Sequence, residues 1–327
     1  MDSPLLSLPG AVPADPPDEG VAWHYGDPVR EQRALEDGRG FVDLSHRAVV
    51  RVSGPDRLGW LHLLTTQHLE HLAPHEAATA LLLSAQGRVE HALSLVDDGE
   101  AVTMHVEPGT AAPLVEFLDL MQFRSDVEIT DLTDELAVVW EPPNDTMTPY
   151  LARVSDRGRE LFVPRGELPA YAERRGDPAG VWAYDALRIA AHEPRFGRET
   201  DHKTIPHEVG WIGTAVHMDK GCYRGQETVA RVHNTGHPPR RLVFLHLDGS
   251  VETLPAHGDP VEADGREVGF VGSAARHHEL GPIALALVKR STPVDTPLLA
   301  GGVAASQEVI VSPDAGLHLR PKQLLGD

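Results

Sequence analysis

D-K-G-C-Y-R-G-Q-E-T-V-A-R-V-H-N-T-G-H-P-P-R-R-L, residues 219 to 242, contains the only cysteine of the chain, Cys222, set between two glycines and two cations. Gly221 and Gly225 permit a tight backbone path there. The run from Gln226 to Val232 predicts a short helix, and its first N–H groups lie unpaired close to the thiol. Lys220, Arg224 and those N–H groups all favour an anion, so the spacing predicts a thiolate at Cys222 that forms more readily than in a free cysteine. From 220 to 241, five cations (Lys220, Arg224, Arg231, Arg240 and Arg241) stand against one carboxylate, Glu227, inside a chain of net charge −20. A locally positive pocket in an acidic protein suits a small anionic ligand. The same spacing also fits an inert, buried, weakly apolar cysteine behind a glycine turn. The residues alone leave both readings open.

Outward from this stretch, the bulk numbers set bounds. A length of 327 residues exceeds one ordinary core and predicts two or three domains. Hydrophobic residues at 41% and charged residues at 24% are those of a globular protein. The charge of −20 argues against a broad nucleic-acid or anionic-membrane surface. One cysteine cannot form an internal disulfide, which fits a reducing, cytoplasmic setting. No apolar run has the length of a membrane span. Met1 to Gly20 is rich in proline and acid, lacks a basic start, and reads as a flexible tail rather than a signal peptide.

Upstream of the cysteine, the pattern predicts a short charged helix over 28–37 and helices with apolar residues on one face over 56–69, 110–121 and 181–192. Strands are expected at 48–52, 80–84, 89–96, 101–106, 127–132 and 136–140, with a hairpin at 151–163. Helix-flanked hairpins of this kind indicate an α+β class. After Pro194 an irregular segment runs through Asp201, His202 and Pro206, long enough to suggest a binding element. Downstream of Arg240 short strands alternate with Gly and Pro turns, an all-β module.

K-G-C-Y-x-G-Q-E followed by R-R-L resembles the signature of the YgfZ-type folate-binding proteins, relatives of the glycine-cleavage T protein, an aminomethyltransferase. The resemblance runs from about Val21 to Arg290. It includes V-R-V-S-G-P-D at 50–56, the strand-turn-strand at 83–96, L-R-I at 187–189 and P-R-F-G at 194–197. I-P-H-E at 205–208 and G-R-E-V-G at 265–269 extend it. It implies a T-protein-like ring: two interleaved ferredoxin-like subdomains, roughly 21–52 with 135–240 and 53–134, plus an antiparallel β-barrel at 241–327. It implies tetrahydrofolate as ligand, with Tyr223, Gln226, Glu227, Arg231, Arg240, Arg241 and Arg188 as candidate contacts. Cys222 would be the functional thiol, assisted by Lys220 and Arg224. The implied role is an accessory one in assembly or maintenance of iron–sulfur enzymes, tRNA-modifying ones included, through protein clients. The alternative is a folate-dependent one-carbon transferase.

One departure weighs against aminomethyl transfer. Aminomethyltransferases carry an acidic pair after the glycine turn, and the matching residues here are Glu90 and His91. A histidine cannot supply a fixed negative charge opposite a developing cation, and Glu90 points to the other face of its strand. His68, His71 and His75 have helical spacing, but Pro74 interrupts it and no carboxylate completes a set, so no metal is expected. A single thiol cannot hold an iron–sulfur cluster within the chain. Neither a G-K-[ST] phosphate loop nor a G-x-S-x-G elbow is present.

Overall fold

The computed structural model describes residues 1–317. These divide into two units, Met1–Ala80 with His91–Asp185, and Leu81–Glu90 with the chain from Ala186 onward.

Two five-stranded sheets precede the barrel, with most of their residues in the first unit. In one, Leu151–Ser155, Gly158–Pro164, Leu136–Glu141, Phe41–Asp43 and Pro178–Ala179 lie side by side in that order. Only the last pairing is parallel. The other has the order Ala77–Leu83, Val89–Asp97, Ala101–Val106, Ala48–Ser53 and Glu128–Asp131. Phe41, Val139, Leu161, Val163, Leu168 and Tyr171 form a core against the first sheet. Leu168 and Tyr171 belong to a helix, Leu168–Arg175, that the sequence pattern did not predict.

Two expectations are corrected here. The helix expected over 56–69 spans only Arg57–Leu64, because Thr65 turns to extended backbone. β-branched residues at 65 and 66 fit that better than another helical turn. Met1 to Gly20, expected to be a flexible tail, is packed: Pro4–Ser7 forms a 3-10 turn and Val12–Pro13 pairs with Ala22–His24. Leu5 is fully buried in the core just described, and the Ser3 hydroxyl donates to the Asp43 carboxylate.

The second unit is built on a closed six-stranded antiparallel barrel, in the order Arg240–Leu247, Gly281–Lys289, Arg266–His277, Pro260–Ala263, Leu298–Ala300 and Val303–Val309. Closure leaves no open sheet edge. Strand Arg240–Leu247 is apolar on both faces, as its unbroken run from Leu242 to Leu245 requires. Val243 and Leu245 join Val261, Val271, Ala286 and Leu298 in one cluster. Leu242 and Phe244, facing the other way, pack with Ala186, Ile189 and Val209. The hairpin Leu298–Val309, turning on Gly301 and Gly302, was not expected as such.

Candidate functional site

Within the second unit, the cysteine loop rests on the glycine turn of a hairpin. Ser84 organises that turn: its N–H donates to the Arg88 carbonyl at 2.8 Å, and its hydroxyl accepts from the N–H groups of Gln86 and Arg88. Gly225 precedes helix Gln226–Thr235 with φ of 82°. A Cβ on Gly225 would lie 2.5 Å from the Ser84 carbonyl oxygen and 2.8 Å from the Gly87 Cα. A Cβ on Gly87 would in turn lie 2.8 Å from that of Thr228. Only paired glycines allow the two segments this approach. Arg224 closes the contact with an ion pair to Glu90 at 3.0 Å.

The side chains of the motif divide by environment. Cys222 is exposed. Lys220 is buried, with its ammonium 5.2 Å from the centroid of the Tyr223 ring. Burial pushes the Lys220 amine down to about 8 and the Tyr223 phenol up to about 12. Gln226 donates to the Lys220 carbonyl at 3.4 Å, bracing the loop from the first helical turn. Glu227 and Arg231 are exposed on the helix. The two cations expected to favour an anionic sulfur are thus engaged, Arg224 by Glu90 and Lys220 by the Tyr223 ring.

Of the other four expected ligand cations, Arg231 is exposed and the remaining three have protein partners. Arg240 forks between Asp201 at 2.7 and 3.0 Å and Glu208 at 2.8 and 2.9 Å, and also reaches the Thr204 hydroxyl. Burial alone would raise the Asp201 pKa. The bonds from Arg240, the Lys203 N–H and Thr204 outweigh it and hold this carboxyl below the usual range. Arg188, fully buried, donates to the Glu193 carbonyl, the Glu199 carboxylate and the Ser273 hydroxyl. Arg241, also fully buried, donates to the Thr292 carbonyl and Gln307. Arg188, Arg240 and Arg241, expected as ligand contacts, are each engaged by protein groups in this structure.

A cavity of about 520 Å³ opens beside the glycine turn, lined by Ser84, Gln86, Arg88, Glu90, Phe196, Gly197, Thr200, Asp201 and His202 among others. Arg88 and His202 are exposed there, and their side chains have no hydrogen-bond or ion-pair partner among the described residues. Neither was singled out as a ligand residue, although His202 lies in the segment expected to be a binding element. A turn arginine inside S-A-Q-G-R was the available signal. Next along the strand, His91 is mostly buried, with burial lowering its pKa and its Nδ1 lacking a partner among the described residues. The arrangement offers a thiol in solvent, a buried amine that is partly neutral near neutral pH, and a largely apolar cavity edged by an arginine and a histidine without partners among the described residues.

Residues 240–314 match the glycine cleavage T-protein C-terminal barrel domain. A chloroplastic protein of Arabidopsis thaliana named as a transferase is 27% identical over 294 residues, spanning 78% of this chain and 66% of its own length. An aminomethyltransferase of Herpetosiphon aurantiacus is 28% identical, over 81% of this chain and 82% of that protein. The crystal structure of glycine cleavage system aminomethyltransferase T from Bartonella henselae superposes with a TM-score of 0.74 at 18% identity, covering 93% of this chain and 94% of that one. The fold is the T-protein fold, and residues 240–314 match that family's C-terminal barrel domain. No helix among the described residues is long and apolar enough to cross a membrane.

Proposed function

We propose that this protein binds tetrahydrofolate and, through Cys222, supports the assembly or maintenance of iron–sulfur enzymes, tRNA-modifying ones included. The observation that carries the reading is an exposed thiol on a loop locked by Gly225 and Gly87 to the turn that precedes Glu90 and His91. A locked loop with a free sulfur is suited to presenting that sulfur to a protein client. His91, pushed toward its neutral form by burial, stands where an aminomethyltransferase would carry a negative charge.

Folate fits the second unit by its donor set. The cavity beside the glycine turn has the size of a ligand subsite. Arg88 and His202 would take the glutamyl carboxylates. Gln86 offers a partner to a polar ring, and Phe196 offers an apolar wall. When bound, the reduced pterin would supply the nitrogens that carry a one-carbon unit. Lys220, near pKa 8, would then be a cation in most molecules and a free amine in a minority, able to hold or release a proton within the loop that carries the thiol.

Calorimetric titration with tetrahydrofolate tests the reading. Arg88→Ala is expected to weaken binding by about tenfold, the loss of one charge-assisted contact. Cys222→Ala is expected to leave binding intact and to abolish support of client-enzyme activity. Unchanged client activity in Cys222→Ala would remove the thiol from the function. The second reading, a folate-dependent one-carbon transferase, is favoured by relatives named as aminomethyltransferases. It requires turnover with an aminomethyl or methyl donor that Glu90→Ala or His91→Ala abolishes, and absence of turnover with any donor removes it.

A further inference from the structure

We propose that His62, His68 and Glu70, with His71 beside them, form a binding site for a late first-row divalent cation of the zinc class. The early end of the preceding helix creates the cluster. His62 lies on the last turn of helix Arg57–Leu64 and is buried. The chain then leaves the helix and bends back, so that the His68 ring meets the His62 ring edge to face at 4.8 Å. One ligand atom from each of His62, His68 and Glu70 lies within 4.8 Å of the others. The His71 ring centroid is 5.8 Å from that of His68, a further imidazole at the open side.

The backbone beneath these groups is fixed independently of any ion. Leu69 and Leu72 are buried and anchor the loop. Gln67 donates to the Thr79 carbonyl at 3.1 Å and accepts the His68 N–H at 3.0 Å, which sets the direction of the His68 side chain. The Leu69 N–H donates to the His62 Nδ1 at 3.3 Å, orienting that ring. A bond of this length is at the weak end of its class, so a cation competing for the nitrogen displaces it at small cost. Around a tetrahedral zinc ion, donors at about 2.1 Å sit roughly 3.4 Å apart. The cluster therefore needs a contraction of up to about 1.4 Å, which rotation of the exposed Glu70 and half-exposed His68 side chains provides without moving the anchored backbone.

The donor set selects the ion. Two or three imidazoles with one carboxylate suit zinc, cobalt, nickel or copper, whereas magnesium and calcium prefer oxygen throughout. A chain of net charge −20 also favours cation capture. The site uses no group of the cysteine loop, so it stands or falls apart from the folate reading.

The test uses the full chain, stripped with a chelator and without folate. One equivalent of cobalt(II) is expected to give the visible absorption bands of a four- or five-coordinate site, and zinc should displace it. In calorimetry, the double variant His68→Ala/Glu70→Gln is expected to lose at least about tenfold in zinc affinity. Its thermal stability without metal should match the parent's, because both side chains reach solvent; His62 is left in place since it is buried. Absence of the cobalt bands in the parent chain overturns the proposal. So does zinc affinity that survives the double substitution, which would place the ion at other histidines.

Discussion

Gly225 sets the position of the thiol more firmly than any charged neighbour does. Its φ of 82° lies in the left-handed region, and the atoms a Cβ would meet are backbone: the Ser84 carbonyl oxygen and the Gly87 Cα. Backbone cannot swing aside as a lysine tip can, so Gly225→Ala combines conformational strain with a clash. We expect it to lower stability by about 2–3 kcal/mol in urea unfolding and to change the alkylation rate of Cys222. Gly221, which the motif presents as its twin, has no positive φ, and a Cβ added there would meet no atom within 4 Å. Gly221→Ala should stay within about 0.5 kcal/mol. Equal losses for the two would refute the packing argument. The sequence marks both glycines alike because spacing carries no φ. What separates them is a partner turn more than a hundred residues earlier.

At the level of elements, strand Arg240–Leu247 shows why two adjacent arginines do different work. Arg240 serves the segment 201–208, while Arg241, on the opposite face, is sealed against Thr292 and Gln307. Glu208 is fully buried, and Arg240 supplies its charge partner. Arg240→Ala should therefore cost about 3–5 kcal/mol, since removing one member leaves the other charge buried. Adding Glu208→Gln to it should recover part of that loss. A single-variant loss below about 1 kcal/mol would mean that solvent already reaches Glu208. Much of this tier is legible in the sequence. Alternation and turn residues locate most barrel strands, and Asp156-Arg157-Gly158 locates its hairpin. The leucine spacing overruns helix 57–64 because Leu69 keeps it although the chain has already turned at Thr65. The same overrun hides the metal candidate, since His68 and Glu70 reach His62 only once the helix has ended. The packing of the N-terminus is illegible because its few apolar residues, Leu5 among them, find their core only in tertiary structure.

Across the whole molecule, each unit buries a histidine whose protonation works against folding. In the first unit, burial and the nearby Arg47 and Arg153 charges hold the His105 pKa well below its ordinary value. In the second, burial lowers His207 to about 4, with the His233 charge adding to the effect, and neither ring nitrogen has a partner among the described residues. Composition gives no hint of this: nineteen histidines in an acidic chain look alike until burial is known. The sign follows from linkage. Well above pH 6.5 both rings are neutral folded or unfolded, and stability is independent of them. As the pH falls from about 6.5 toward 4, the unfolded chain takes up protons that the folded chain refuses, and stability declines. For His207 alone the full decline is about 3 kcal/mol, from a shift of roughly 2.5 units at about 1.4 kcal/mol each. Urea unfolding at pH 7 and pH 4.5 measures it. Replacing His207 by Leu removes a buried polar ring without stranding a partner, so the fold should tolerate it and the acid slope should flatten by most of that amount. If the His207→Leu variant loses stability with acid as steeply as the parent chain, the buried ring is not what makes this fold sensitive to acid.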